Sequence, residues 1–165
     1  MSSRVHNVLF LCTGNSARSI LAEATLGVLG AGRFQAFSAG SQPSGKVQPI
    51  AAEIAEALGY PREKMRSKSW DEFAEPNAPV MDMIITVCDN AAGEACPVWL
   101  GHPATAHWGV PDPVAVEGDD DERRRAFRSA YATLRRRVEL LLALPLEKLE
   151  QLEAQTRLRE IGRVS

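Results

Sequence analysis

Cys12 and Arg18 are separated by the five residues Thr-Gly-Asn-Ser-Ala, and the two side chains could together bind and attack a tetrahedral oxyanion. A cysteine thiolate is a strong nucleophile, and the planar fork of arginine matches an oxyanion bidentately. Gly14 and Asn15 tolerate left-handed backbone angles, so consecutive N–H groups can point inward as an anion-binding nest. A following helix would add its positive end, which also favours thiolate. We therefore expect the pKa of Cys12 to lie below the usual value of about 8.5.

A plainer interpretation makes Cys12 a buried residue at the end of a strand and Arg18 a solvated helix residue. The order of the segment argues against it. An apolar run, 8–11, precedes the cysteine, and a helical pattern begins directly after Arg18-Ser19. This combination of strand, loop and helix is the context that an oxyanion site requires.

Two further cysteines, Cys88 and Cys96, flank the predicted connection between two strands. If the segment were helical, they would lie about 12 Å apart. A disulfide requires Cα atoms within roughly 7 Å, so the pair could join only if the segment unwinds or loops. Gly93 and Pro97 make that possible. The alternatives are a core cysteine with an incidental partner, or a zinc site.

Zinc is poorly supported by the spacing of these residues. The cysteines form a C-x7-C pattern without a second close pair of cysteine or histidine residues. His102 and His107 do not complete a recognised ligand set.

Composition excludes several classes of protein. The chain has 165 residues, so we expect one domain. Its net charge is -2 with 24% charged residues, so we expect no strong attraction to nucleic acid or an anionic membrane. No apolar stretch approaches the roughly 20 residues of a membrane span, and no signal-peptide core is visible. Three cysteines do not suit a structural disulfide framework. We expect a cytoplasmic protein.

Alternating strand and helix patterns predict a parallel α/β sheet with right-handed crossovers. Strands are predicted over residues 5–11, 33–38, 81–87 and 105–108. Helices are predicted over 17–29 and 49–58, with a short helix at 70–74. A long helix is predicted to begin at the acidic run 119–122 and to break at Pro145. A final amphipathic segment follows it. Ligands of such sheets bind beyond the carboxyl ends of the strands, where Cys12, Cys88 and Asp112 would emerge.

The C-x5-R-S loop near the N-terminus resembles that of the low-molecular-weight tyrosine phosphatase family, and its arsenate reductase branch is the closer match. The resemblance implies a four-stranded parallel sheet in the order 2-1-3-4, flanked by helices. It covers residues 1–145. Residues 146–165 run past the usual family core, and we expect them to pack back on the domain or to form a partner surface.

The segment from Val87 to Pro97 resembles the redox segment of three-cysteine arsenate reductases, for which the phosphatases have no counterpart. This resemblance implies a disulfide relay through Cys12, Cys88 and Cys96. Thioredoxin is the implied reductant, with glutathione and glutaredoxin or another thiol donor as alternatives.

Asp112-Pro113 matches the general-acid position of the family, although an isolated Asp-Pro is usually only a turn. Phosphatases of the family typically have tyrosine at the next position, which lines a phosphotyrosine pocket. Val114 stands there and weakens the phosphotyrosine interpretation. The resemblance also implies that Asn15 braces the loop and Ser19 supports the thiolate. The oxyanion-binding set is Thr13, Gly14, Asn15, Ser16, Ala17, Arg18 and Ser19.

Members of the reductase branch can bind potassium behind the loop, and the matching residues are Asn15, Glu23 and Ser38. Further ligands would lie near residues 67–69. The alternative for Glu23 is a solvated carboxylate on a helix. No tightly bound cofactor is expected.

These observations favour an arsenate reductase for arsenic detoxification, in which Arg18 and the loop amides hold arsenate, Cys12 attacks it and Asp112 protonates the departing oxygen. Phosphate or sulfate would compete for the same loop. The alternatives are a phosphatase acting on phosphotyrosine or a small phosphate ester, and an anion-binding or arsenic-sensing regulatory protein without turnover. We expect a monomer.

Overall fold

The computed structural model of the chain describes residues 5–88, 103–145 and 151–164. Cys96 lies outside these residues, as does most of the connection between the third and fourth strands. The predictions for Cys96 therefore have no structural counterpart.

The core of the fold is a parallel four-stranded sheet in the order β2-β1-β3-β4, as predicted. The strands are β1 (His6–Cys12), β2 (Phe34–Gly40), β3 (Met83–Thr86) and β4 (Ala104–His107). Because β1 and β3 are neighbours, Cys12 and Cys88 leave the sheet at the same edge.

Four α-helices are present among the described residues: α1 (Arg18–Leu29), α2 (Pro49–Leu58), α3 (Asp120–Leu142) and α4 (Gln151–Ile161). A 3-10 turn spans Trp70–Phe73, where a short helix was predicted. The start of α3 is fixed by Asp119, whose carboxylate accepts the N–H of Glu122 at 2.9 Å. α2 ends at Gly59 because this residue takes the left-handed conformation, with φ of 104°.

The alternating faces of β1 explain its almost wholly apolar sequence. Val8 and Phe10 point into a large core shared with α1, α3 and α4, whereas Leu9 and Leu11 point into a second cluster around Trp70. A strand that is covered on both faces needs apolar residues at every position.

Helix α4, within the predicted extension, packs against β4. Leu158 is fully buried, and its carbonyl accepts the indole N–H of Trp108 at 2.9 Å. The N–H of Thr105 donates to the Gln155 side chain, and the carbonyl of Thr105 accepts from the Arg159 guanidinium. None of the helices in the described parts of the chain is long and apolar enough to cross a membrane.

Candidate active site

The turn between β1 and α1 forms a tight loop in which Asn15 is the key residue. Asn15 is the single non-glycine residue with positive φ in the described chain, at 46°. The sequence indicated that Gly14 and Asn15 could both take left-handed angles, but Gly14 does not adopt one. One residue with left-handed backbone angles is enough to turn the chain sharply between the strand and the helix.

The carbonyl groups of this loop are held from outside by the segment after β2. The N–H groups of Gln42, Ser44 and Gln48 donate to the carbonyls of Thr13, Gly14 and Ser16 at 3.0, 3.0 and 2.9 Å. The N–H of a trans peptide points opposite to its C=O, so clamping the carbonyls outward turns the following N–H groups inward. The loop thereby forms a cup whose shape suits an anion.

Cys12 and Cys88 are brought together at this cup. Both are reduced thiols and both are buried, with relative exposures of 5% and 2%. The N–H of Thr13, the residue after Cys12, donates to the Cys88 sulfur at 3.3 Å. A second thiol therefore lies beside the candidate nucleophile, where its side chain raises the pKa of Cys12.

The pKa of Cys12 is raised, and the expectation that it would be lowered is wrong for this arrangement. The largest cause is the hydrogen bond with Cys88, followed by burial of the thiol. Arg18 and the Thr13 N–H act in the expected direction, but they are outweighed. A negative charge on either of two neighbouring sulfur atoms makes a second charge harder to form.

Arg18 and Asp112 meet on the other side of the cup. One guanidinium nitrogen donates to the Val110 carbonyl at 2.9 Å, and another lies 3.7 Å from the Asp112 carboxylate. The second oxygen of this carboxylate accepts the N–H of Val114 at 3.0 Å. The Asp112 side chain is 42% exposed. It is thus oriented by the turn that follows it and accessible to a bound molecule.

The three residues predicted as potassium ligands form one buried network. The Asn15 amide donates to Ser19 at 2.8 Å and to Ser38 at 3.0 Å, and Ser38 donates to Glu23 at 2.6 Å. Glu23 is 3% exposed, so it is not the solvated helix carboxylate of the alternative interpretation.

Two residues complete this network: Tyr60, which the sequence analysis did not identify, and Lys68, which lies within the segment 67–69 where further ligands were expected. The Tyr60 hydroxyl donates to Glu23, and the Lys68 ammonium lies 3.7 Å from the same carboxylate. Burial and the Glu23 charge raise the pKa of Tyr60. Burial lowers the pKa of Lys68, although Glu23 opposes that shift. No pattern in a single sequence distinguishes a buried lysine from the many that are solvated.

Gly40, at the end of β2, is a further residue that the sequence analysis missed. A Cβ atom at this position would lie 2.4 Å from the Thr13 carbonyl oxygen and 2.9 Å from that of Cys12. Only glycine permits this close approach between β2 and the loop. Its position directly after an alternating strand was the available indication.

A cleft of about 550 Å³ lies beside Arg18 and Cys88. Its lining residues among those described are Arg18, Cys88, His107, Gly109, Val110, Pro111, Asp112 and Gly162. The described lining mixes polar and apolar residues and contains no phenylalanine, tyrosine or tryptophan. No group of three or more histidine, cysteine, aspartate or glutamate residues suited to a metal occurs within the described ranges.

Comparisons with known proteins agree with this geometry. Residues 7–157 match the family described as low molecular weight phosphotyrosine protein phosphatase. An arsenate reductase of Halalkalibacterium halodurans is 31% identical over 131 residues, which cover 79% of this chain and 91% of the relative. A glutaredoxin arsenate reductase of Synechocystis is 30% identical over 136 residues, covering 82% and 95%. A solved arsenate reductase in the phosphate-binding state is 28% identical, with a TM-score of 0.59 and coverage of 84% of this chain and 97% of that one.

Proposed function

Since this chain belongs to the low-molecular-weight phosphotyrosine protein phosphatase family, we propose that it reduces arsenate to arsenite by a thiol relay that starts at Cys12. The observation that carries the proposal is the position of the Cys88 thiol beside Cys12 at the anion loop, where it accepts the N–H of Thr13. Hydrolysis of a phosphate ester needs one nucleophile and an acid, whereas reduction needs a second electron-donating thiol within reach of the first.

In the first step, the Cys12 thiolate attacks arsenic in an arsenate held by the loop N–H groups and Arg18. An S–As bond forms, one As–O bond breaks, and the departing oxygen leaves as water after taking a proton from Asp112. The 3.7 Å ion pair between Arg18 and Asp112 supports these two roles, because it keeps the acid next to the group that binds the anion.

In the second step, the Cys88 thiolate attacks the Cys12 sulfur. An S–S bond forms while the S–As bond breaks, and its electron pair stays on arsenic, which is released as arsenite. The N–H of Thr13 can stabilise the charge on Cys88 before attack, since it already donates to that sulfur at 3.3 Å. The Cys12–Cys88 disulfide is the oxidised product of this step.

In the third step, Cys96 attacks Cys88, which frees the Cys12 thiolate and leaves a Cys88–Cys96 disulfide. An external dithiol then reduces that disulfide by exchange. We propose thioredoxin as this donor, with glutaredoxin and glutathione as the competing source. A relay of reduced thiols requires a reducing compartment, and we therefore propose that the activity is cytoplasmic.

Phosphate-ester hydrolysis is the second candidate, and the family itself supports it. Phosphate and arsenate have the same shape and charge, and Cys12, Arg18 and Asp112 would serve both reactions. The cleft gives phosphotyrosine little support, because Val114 follows Asp112-Pro113 and none of the described lining residues is phenylalanine, tyrosine or tryptophan.

The deciding experiment measures arsenite production with thioredoxin, thioredoxin reductase and NADPH, with glutaredoxin and glutathione in a parallel assay. Hydrolysis of p-nitrophenyl phosphate is measured beside it. We expect arsenate-dependent NADPH oxidation in the thioredoxin assay. Phosphate-ester hydrolysis without any arsenite in either assay would reject the proposal.

Variants separate the steps. Cys12→Ser should lose both activities, because a hydroxyl is far less ionised than a thiol and has no redox chemistry.

Cys96→Ser should release about one arsenite per enzyme in a burst and then stop, because Cys12 and Cys88 still complete the first two steps. Repeated turnover of Cys96→Ser with thioredoxin would reject the three-cysteine relay.

A further inference from the structure

We propose that the Lys68 ammonium group takes the place of a potassium ion behind the anion loop, so that this protein works without that ion. The site in question is the network of Asn15, Glu23 and Ser38, in which potassium was expected. The proposal concerns how the loop is held and does not depend on whether the bound anion is arsenate or phosphate.

The ammonium group lies among the oxygen atoms that would attract a cation. Its nitrogen is 2.8 Å from the Arg66 carbonyl, 3.4 Å from the Ser38 hydroxyl and 3.7 Å from the Glu23 carboxylate. Lys68 is 7% exposed. A lysine so deeply buried is found almost only where a carboxylate and oxygen acceptors compensate its charge.

The residues present do not fit a potassium ion in addition to this lysine. The Asn15 oxygen accepts the N–H of Lys68 at 2.9 Å, so the asparagine turns its NH₂ group, not its oxygen, toward Ser38. Ser38 in turn donates its proton to Glu23. The charges of Glu23 and Lys68 cancel, and a second buried cation would be repelled by the ammonium without a second carboxylate to offset its desolvation.

Lys68 is connected to the anion loop by two routes. Its backbone N–H bonds the Asn15 side chain directly, and its ammonium contacts Ser38, which accepts the other end of the same side chain. Asn15 is the residue in the left-handed conformation that shapes the cup. Lys68 is therefore a positioning residue, which acts on the bound anion through Asn15 and does not touch it.

Potassium titration of the unmodified protein is the first test. Thermal unfolding and phosphate binding by calorimetry are measured at constant ionic strength in potassium chloride, sodium chloride and choline chloride. We expect the same unfolding midpoint and the same phosphate affinity in all three salts. A rise in either quantity that is specific to potassium would overturn the proposal.

Removal of the ammonium is the second test. Lys68→Ala leaves Glu23 uncompensated in a space bordered by oxygen atoms, so we expect phosphate binding about tenfold weaker than in the unmodified protein and restored by potassium but not by choline. Lys68→Met fills the space without a charge and should bind phosphate weakly in every salt. Phosphate affinity of both variants equal to that of the unmodified protein would overturn the proposal.

The matched control is Lys64→Ala. Lys64 is an exposed lysine on the same side of the molecule, over the ring of Tyr60. Its substitution removes the same charge, and the contact that it loses is with the Tyr60 ring, not with Asn15, Glu23 or Ser38. We expect the phosphate affinity of Lys64→Ala to be unchanged and independent of potassium. A loss as large as that of Lys68→Ala would show that net charge, not the buried position, is responsible, and would overturn the assignment.

Discussion

The two thiols at the anion loop control each other's charge. Cys12 has the features that normally favour thiolate, namely a helix N-terminus and a nearby arginine, yet the hydrogen bond with Cys88 raises its pKa. A negative charge on one sulfur opposes a second charge on the other, so a single thiolate is favoured over two. That arrangement suits a relay, because one thiolate and one thiol are needed in alternation.

Cys88→Ala should lower the pKa of Cys12, because it removes the largest cause of the upward shift. The pH profile of Cys12 alkylation by iodoacetamide should therefore move to lower pH than in the unmodified protein. Mass spectrometry of the Cys12 peptide separates this reaction from alkylation of Cys96. A profile that is unchanged, or moved to higher pH, would contradict the pairing of the two thiols.

Asp112→Asn should slow the first chemical step by about 10²–10⁴-fold, because the amide cannot donate a proton to the departing oxygen. Single-turnover measurement of arsenylation or of phosphate-ester cleavage reports this step. The control is Asp121→Ala, an exposed carboxylate in the first turn of α3, which should leave the rate unchanged. An unchanged rate in Asp112→Asn would assign the proton to another group.

At the level of secondary structure, the anion loop depends on how closely β2 approaches it. Gly40 lies beside the Thr13 and Cys12 carbonyls, and its N–H donates to the Lys68 carbonyl at 2.9 Å. This one residue joins β1, β2 and the segment that carries Lys68. A change here should affect the cup more than the sheet.

Gly40→Ala should weaken phosphate binding and lower stability by about 1–3 kcal/mol, because the added methyl group would overlap backbone atoms that cannot rotate away. Calorimetric titration and chemical denaturation measure the two effects. Gly32→Ala is the control. No atom lies within 4 Å of its added Cβ, so it should lower stability through its φ of 88° without altering phosphate affinity. Unchanged phosphate affinity in Gly40→Ala would contradict this role.

The strands and helices could be predicted from local patterns, and most boundaries lie within two residues of the prediction. The strand order came from the resemblance to a family, because periodicity does not specify which strands pair. The buried position of Lys68, the close approach of Gly40 and the raised pKa of Cys12 all depend on residues that are distant in the chain. For example, Lys68 meets Asn15 across 53 positions. Local sequence carries no record of such contacts.

At the level of the whole molecule, helix α4 is part of the main core. Leu158 and Ile161 belong to the same cluster of buried residues as Phe10 and Trp108. The residue after this helix, Gly162, lies so close to the His107 carbonyl that an added Cβ would be 2.2 Å from it. Gly162 also lines the cleft beside Arg18 and Cys88.

Leu158→Ala should lower the free energy of unfolding by about 2–5 kcal/mol, because it leaves a cavity beside Trp108. Chemical denaturation followed by tryptophan fluorescence measures this loss. Arg157→Ala, an exposed neighbour on the same helix, should change stability by no more than about 0.5 kcal/mol. Equal stability of the Leu158 variant and the unmodified protein would mean that α4 contributes little to the core.

The hydrogen bonds between α4 and Thr105 have a consequence for assembly. An outer strand with unpaired backbone groups is a template on which a second chain can pair. On β4, Gln155 binds the outward N–H of Thr105 and Arg159 binds its carbonyl, at 3.1 and 3.2 Å. Another molecule could extend the sheet from this side only by displacing a helix that is anchored through Leu158. The segment that completes the core thus also prevents neighbouring molecules from joining their sheets at β4.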